Sequence, residues 1–254
     1  MAPAVSNAAC TAISADGTVI GYDPPGPVRR GRGLSTAEAG PYSLQREAED
    51  VAAVAEAIGS SVGDVYVVGH SYGALATLEA ALITPAFRRI LLYEPPVPSP
   101  GLTDVLADGL AHINTMSDPR EILDEFYRGT LQLPASAIKD LGDREFPHLA
   151  ESIAHTAGRE LAGFMGYRGI ERFANITVPV QILLGTESPA HFRAAAADVA
   201  SRIPGATIVA LRGQGHQGID YDPQQFVRAV LAFDAHRKRE HAVLRRGWPD
   251  PLFC

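Results

Sequence analysis

With 254 residues, 46% of them hydrophobic and 20% charged, the chain is long enough for one sizeable domain with a buried core. A net charge of −7 argues against nucleic acid and against an anionic membrane surface as partners. Two cysteines, Cys10 and Cys254, do not make a disulfide framework, and no stretch reaches the roughly 18 apolar residues of a spanning helix. The first ten residues lack a basic segment followed by an apolar core, so the expected location is cytoplasmic.

In chain order, residues 11–23 read as a β-hairpin turning at Asp16 and Gly17. Four residues from Pro24 to Pro27 break regular structure, and the Arg-rich stretch 29–35 reads as a loop. Ser43 is placed to cap a helix over 44–58, with Glu47 in its first turn. A short apolar strand at 64–68 leads to Gly69, His70, Ser71, Tyr72 and Gly73, and then to a helix over 74–82. A second buried strand at 89–93 ends on Glu94 and two prolines.

From 97 to about 177 the pattern turns helical. Helices are expected near 103–116, 120–127, 148–164 and 170–173, the second capped by Asp118 with Pro119 at its first position. Strands return at 178–184 and 207–211, separated by a helix over 191–203, and a last helix covers 223–233. Residues 236–254 are basic and aperiodic and read as a loosely held tail. Strands alternating with helices predict an α/β fold, a mostly parallel sheet covered on both faces.

The stretch from Gly69 to Gly73 is G-x-S-x-G between a strand and a helix. Small residues two positions either side of Ser71 let strand and helix approach closely, and the turn holds the serine hydroxyl exposed. It also aims the Tyr72 N–H at whatever Ser71 attacks. Ser71 is therefore the candidate nucleophile. His216 lies on a Gly-rich loop after the last strand, where an active-site rim forms, and is the candidate general base. The other seven histidines, His70 and His191 among them, have no comparable placement, and no histidine pair has metal-ligand spacing with a third ligand. The acid should stand at a strand tip between Ser71 and His216 in the chain. Glu94 and Glu187 both qualify.

The segments 14–22, 29–35, 42–47, 69–73, 92–96, 185–189 and 213–216 together resemble the bacterial esterase/haloperoxidase-like branch of the α/β-hydrolases. The resemblance covers about residues 11–235. It implies one α/β-hydrolase domain with a helical cap inserted at about 97–177, no cofactor, and a small-molecule substrate. Most such proteins carry the acid as the third residue after the glycine corresponding to Gly185, and here that residue is Ser188. Some carry a glutamate after the strand that follows the nucleophile strand. The resemblance thus favours Glu94, with Glu187 second.

One departure matters. The family has a His-Gly strand whose following loop gives a second oxyanion N–H, and this chain has no histidine before His70. Nineteen residues separate Tyr22 from Tyr42, where a βαβ unit needs roughly 30. The nucleophile strand is then either an exposed edge, open to homodimer formation, or paired with the 11–23 hairpin. The expected activity is a serine hydrolase acting on an ester or similar acyl compound. The alternative is a silent hydrolase-like protein, and a cofactor-free perhydrolase would use the same residues.

Overall fold

The computed structural model describes residues 11–14, 19–21, 41–99 and 101–233. The Arg-rich loop at 29–35, the turn at 15–18 and the tail at 236–254 lie outside the described residues. The strands are β1 (Thr11–Ser14), β2 (Val19–Gly21), β3 (Val65–His70), β4 (Phe87–Tyr93), β5 (Val180–Gly185) and β6 (Thr207–Leu211). They form one sheet in the order β2-β1-β3-β4-β5-β6. β3, β4, β5 and β6 are mutually parallel, as the alternation of strands and helices predicts.

β1 runs antiparallel to β3, with Thr11 opposite Val68 and Ser14 opposite Val65. Of the two outcomes expected for the shortened N-terminal half, the hairpin therefore covers the nucleophile strand. β2 pairs back onto β1, Gly21 opposite Thr11, so β2 parallels β3 and ends level with Val68. β2 thus points toward the edge of the sheet on which Ser71 stands.

The helices are α1 (Leu44–Val62), α2 (Tyr72–Ala80), α3 (Leu102–Ile113), α4 (Pro119–Glu125), α5 (Ala135–Met165), α6 (Ala190–Arg202) and α7 (Gly218–Tyr221), with α8 over residues 223–233. Their starts follow local chemistry. Ser43 Oγ accepts from the Arg46 N–H at the head of α1, and Asp118 Oδ1 accepts from the Arg120 and Glu121 N–H groups at the head of α4. A π-type turn at Phe126–Thr130 follows α4. α5 begins well before the expected 148. No helix among the described residues is long and apolar enough to cross a membrane.

Apolar side chains divide by strand alternation into two cores. Val67, Ile90, Leu92 and Ile182 join the larger one with residues of α1, α2, α3, α5 and α6. Val68, Leu91, Tyr93 and Leu183 face the other way and pack with Ile219 and Phe226 of α7 and α8. All six residues of β3 are buried, which is why the strand is nearly all apolar with no alternation.

Candidate active site

The candidate site is built at the C-terminal ends of β3, β4 and β5, where parallel strands stop and the chain must turn. At the end of β3 the backbone of Ser71 adopts φ 52° and ψ −128°, outside the comfortable range of a residue with a Cβ. The turn is held because the Ser71 N–H donates to the Tyr93 carbonyl at 2.9 Å and the Ser71 carbonyl accepts from Ala74 at 2.8 Å. Gly69 permits the tight approach of α2: a Cβ there would stand 2.7 Å from both Ala74 Cα and Thr77 Oγ1.

Ser71 Oγ lies 3.0 Å from His216 Nε2, and His216 Nδ1 lies 2.7 Å from Glu94 Oε2. His216 is 1% and Glu94 0% exposed, so these bonds are made out of water. Oε1 of Glu94 accepts from the Gly185 N–H at 2.8 Å and from the Ser188 hydroxyl at 2.5 Å. A buried carboxylate with both oxygens satisfied can hold its charge. A carboxylate on Nδ1 fixes the proton there and leaves the Nε2 lone pair facing the serine hydroxyl. That arrangement can take a proton from Ser71 and return it to a leaving group.

Glu94 itself sits at φ 46°, a bend that turns its side chain back over the tip of β5. Its N–H donates to the Leu183 carbonyl, so the bend is anchored to β5. Glu187 is placed differently. It is exposed, and its carboxylate takes the Thr186 hydroxyl at 3.3 Å. Glu94, not Glu187, stands against His216. Tyr72 opens α2, so its N–H lies in the first turn of that helix, beside Ser71. Its hydroxyl accepts from Tyr42 at 2.9 Å, and Gly163 of α5 packs close to both rings. The helical stretch 97–177 therefore reaches the elbow.

Aromatic rings enclose the imidazole. Phe192, on α6, stacks on His216 with ring centres 4.0 Å apart, and His70 lies on another side at 4.9 Å. Burial, reinforced by His216, pushes the His70 imidazole from the ordinary 6.5 down to about 3, so it is neutral at working pH. His191 is also lowered, mainly by burial and then by His216. On the far side of α2, Glu79 accepts from the Tyr167 hydroxyl at 2.6 Å and from Arg172 at 2.7 and 2.9 Å. This ties the nucleophile helix to the segment that follows α5, and burial and Glu79 raise Tyr167 above the ordinary tyrosine range.

Sequence reasoning passed over three residues at this site: His70, Ser188 and Phe192. Strand alternation puts His70 on the face of Val68 and Tyr93, under the loop that carries His216, and that signal was available. Ser188 occupies the position where the resemblance expects an acid, and its hydroxyl donates to Glu94 instead. For Phe192 no sequence signal distinguished a ring on His216 from ordinary core packing.

The chain resembles known proteins over most of its length. A family model described as the alpha/beta hydrolase family matches residues 9–229. A relative from Azorhizobium caulinodans, RutD, whose name proposes carbamate hydrolysis, is 26% identical over 230 residues, covering 87% of this chain and 83% of its own. A solved hydrolase from Pseudomonas aeruginosa PA01 shares the fold with a TM-score of 0.67 at 24% identity, over 80% of this chain and 76% of that one. A solved alpha/beta hydrolase from Sphaerobacter thermophilus DSM 20745 is 28% identical over 78% of this chain and 80% of its own, with a TM-score of 0.57. The chain belongs to the alpha/beta hydrolase family.

Proposed function

We propose that the protein is a serine hydrolase acting on an ester or similar small acyl substrate. Ser71 attacks the acyl carbon, His216 accepts its proton and passes it to the leaving group, and Glu94 orients His216 and stabilises its cation. The Tyr72 N–H steadies the oxyanion at the head of α2. The observation that carries the reading is the unbroken line of hydrogen bonds from Ser71 Oγ through His216 to Glu94. Helices α3 to α5 act as the cap that shapes the acyl pocket. Carbamate hydrolysis, the activity in the relative's name, falls in the same class, since it too begins with attack on a carbonyl carbon.

A second reading follows from β1. An antiparallel strand stands beside β3 where the resemblance expects a parallel one, whose following loop supplies an oxyanion N–H. Loss of one such donor costs about 10² to 10³ in rate, which would leave a catalytically impaired or silent hydrolase-like protein, its serine unlabelled by an activity probe if silent. A fluorophosphonate probe separates the readings. Labelling of the wild type, abolished in Ser71→Ala and in His216→Ala, is the expected result. Equal labelling of wild type and Ser71→Ala would remove the serine-hydrolase reading.

A further inference from the structure

We propose that His70 is the positioning residue for the base: its Nε2–H, donated to the His216 carbonyl, sets where the His216 imidazole stands between Ser71 and Glu94. The inference rests on the triad reading above. His70 Nε2 lies 2.8 Å from the His216 carbonyl oxygen, and both groups are buried. A carbonyl cannot donate, so the shared proton must sit on His70 Nε2.

The placement follows from register. β3 and β4 end level, with His70 paired to Tyr93. Both side chains face the base loop, and their rings are 5.2 Å apart. The Tyr93 hydroxyl donates to the Gly215 carbonyl, and His70 donates to the next carbonyl along the chain. Two successive peptide groups of the base loop are thus held from two adjacent strands. Glu94 directly follows Tyr93 and holds the ring at Nδ1.

The chain economy of this is functional. His70 directly precedes Ser71, so the segment that aims the nucleophile also locates the base. A shift of the elbow carries both partners together, and the 3.0 Å separation between Ser71 Oγ and His216 Nε2 is preserved. Proton transfer needs that separation to stay within hydrogen-bond reach, and a misplacement of about 1 Å can cost about 10² in rate. A neutral donor suits the task, because a second cation beside His216 would oppose formation of its imidazolium.

Two measurements on the full chain test the proposal. The first is the ring ¹⁵N spectrum of His70 in the resting protein, which reads its tautomer directly. An Nε2–H ring is expected, and an Nδ1–H ring would overturn the assignment whatever the variants do. The second compares His70→Phe, which keeps a ring and loses the donor, with His70→Gln, which keeps a donor. His70→Phe should lose about 10² in kcat with KM within about twofold, and His70→Gln should recover most of that loss. A folded His70→Phe with wild-type kcat would sink the idea, as would His70→Gln no better than His70→Phe. Should His70→Phe not fold, an Nε2–H ring with an active His70→Gln supports the proposal, and an inactive but folded His70→Gln opposes it. Failure of the triad reading is distinct, because it appears as activity that survives Ser71→Ala.

Discussion

The tips of β4 and β5 each end in a glutamate-bearing turn, and the two carboxylates have opposite fates. After β4 the chain bends through a positive φ, and Glu94 is driven inward, fully buried, with two donors on one oxygen and an imidazole on the other. After β5 the turn runs past the base loop, and Glu187 faces water with a neighbouring hydroxyl for company. In the proposed triad, residue type and strand position alone do not select the acid. The backbone bend does, together with whatever donors the adjacent tip supplies. The β5 tip supplies them here, through Gly185 and Ser188, so it holds the Glu94 carboxylate in place.

That contrast is most directly broken by Glu94→Gln. An amide at this position cannot hold the right imidazole tautomer, and turnover of p-nitrophenyl acetate should fall by about 10⁴. A loss under tenfold, with the fold intact by circular dichroism, would remove Glu94 from the proposed triad.

A second test moves the carboxylate to the other tip. Ser188 touches Glu94, so Ser188→Asp in the Glu94→Gln background puts a carboxylate where the family resemblance expects one. Recovery of at least about tenfold over Glu94→Gln in steady-state kcat is the expected outcome. No recovery would mean that the β5 tip supports only an acid delivered from β4.

The third test uses acid rather than mutation, and its effect is on stability. His70 binds no proton in the folded protein until pH falls to about 3, whereas in the unfolded chain it does so near 6.5. The unfolded state therefore holds the extra proton between these limits, and stability falls as pH drops from about 6.5 toward 3. The slope from this one group is at most about 1.4 kcal/mol per pH unit. Urea unfolding as a function of pH should show a shallower acid limb in His70→Gln than in wild type, and equal limbs would count against a buried neutral His70.

The smallest effect is expected at Glu187. Glu187→Gln should leave kcat and KM within about twofold, because its carboxylate is exposed and, among the described residues, takes its own neighbour's hydroxyl. A large loss would transfer the acid role and reverse the comparison.

How much could be read before the fold was known varied with the kind of signal. β6 was expected at its observed bounds because an apolar run lay between clear turns. Strand order near β3 followed once the 11–23 hairpin was the only β-forming segment within reach. The helix expected from 148 starts thirteen residues earlier, at Ala135, and runs through Gly142 and Pro147, residues that usually interrupt a helix. At the site, Ser71 and His216 stood out through motif and loop position. The support around them did not, because Ser188 reaching Glu94 depends on two turns whose residues lie 94 positions apart in the chain. Pairings of that kind are tertiary, and no local pattern encodes them.

The close fit of Gly185 against the base loop has a consequence for how the protein gains activity during folding. A Cβ at Gly185 would lie 2.3 Å from the Gln214 carbonyl, so the loop has its seat only when β5 is in place. Every bond that aligns the base also spans a long stretch of chain: 145 residues to Ser71, 122 to Glu94 and 146 to His70. Contacts of such separation form late, after local helices and strand pairs have reduced the entropy of closing the loop. Recovery of turnover is therefore expected to lag recovery of the far-ultraviolet signal when the unfolded chain refolds.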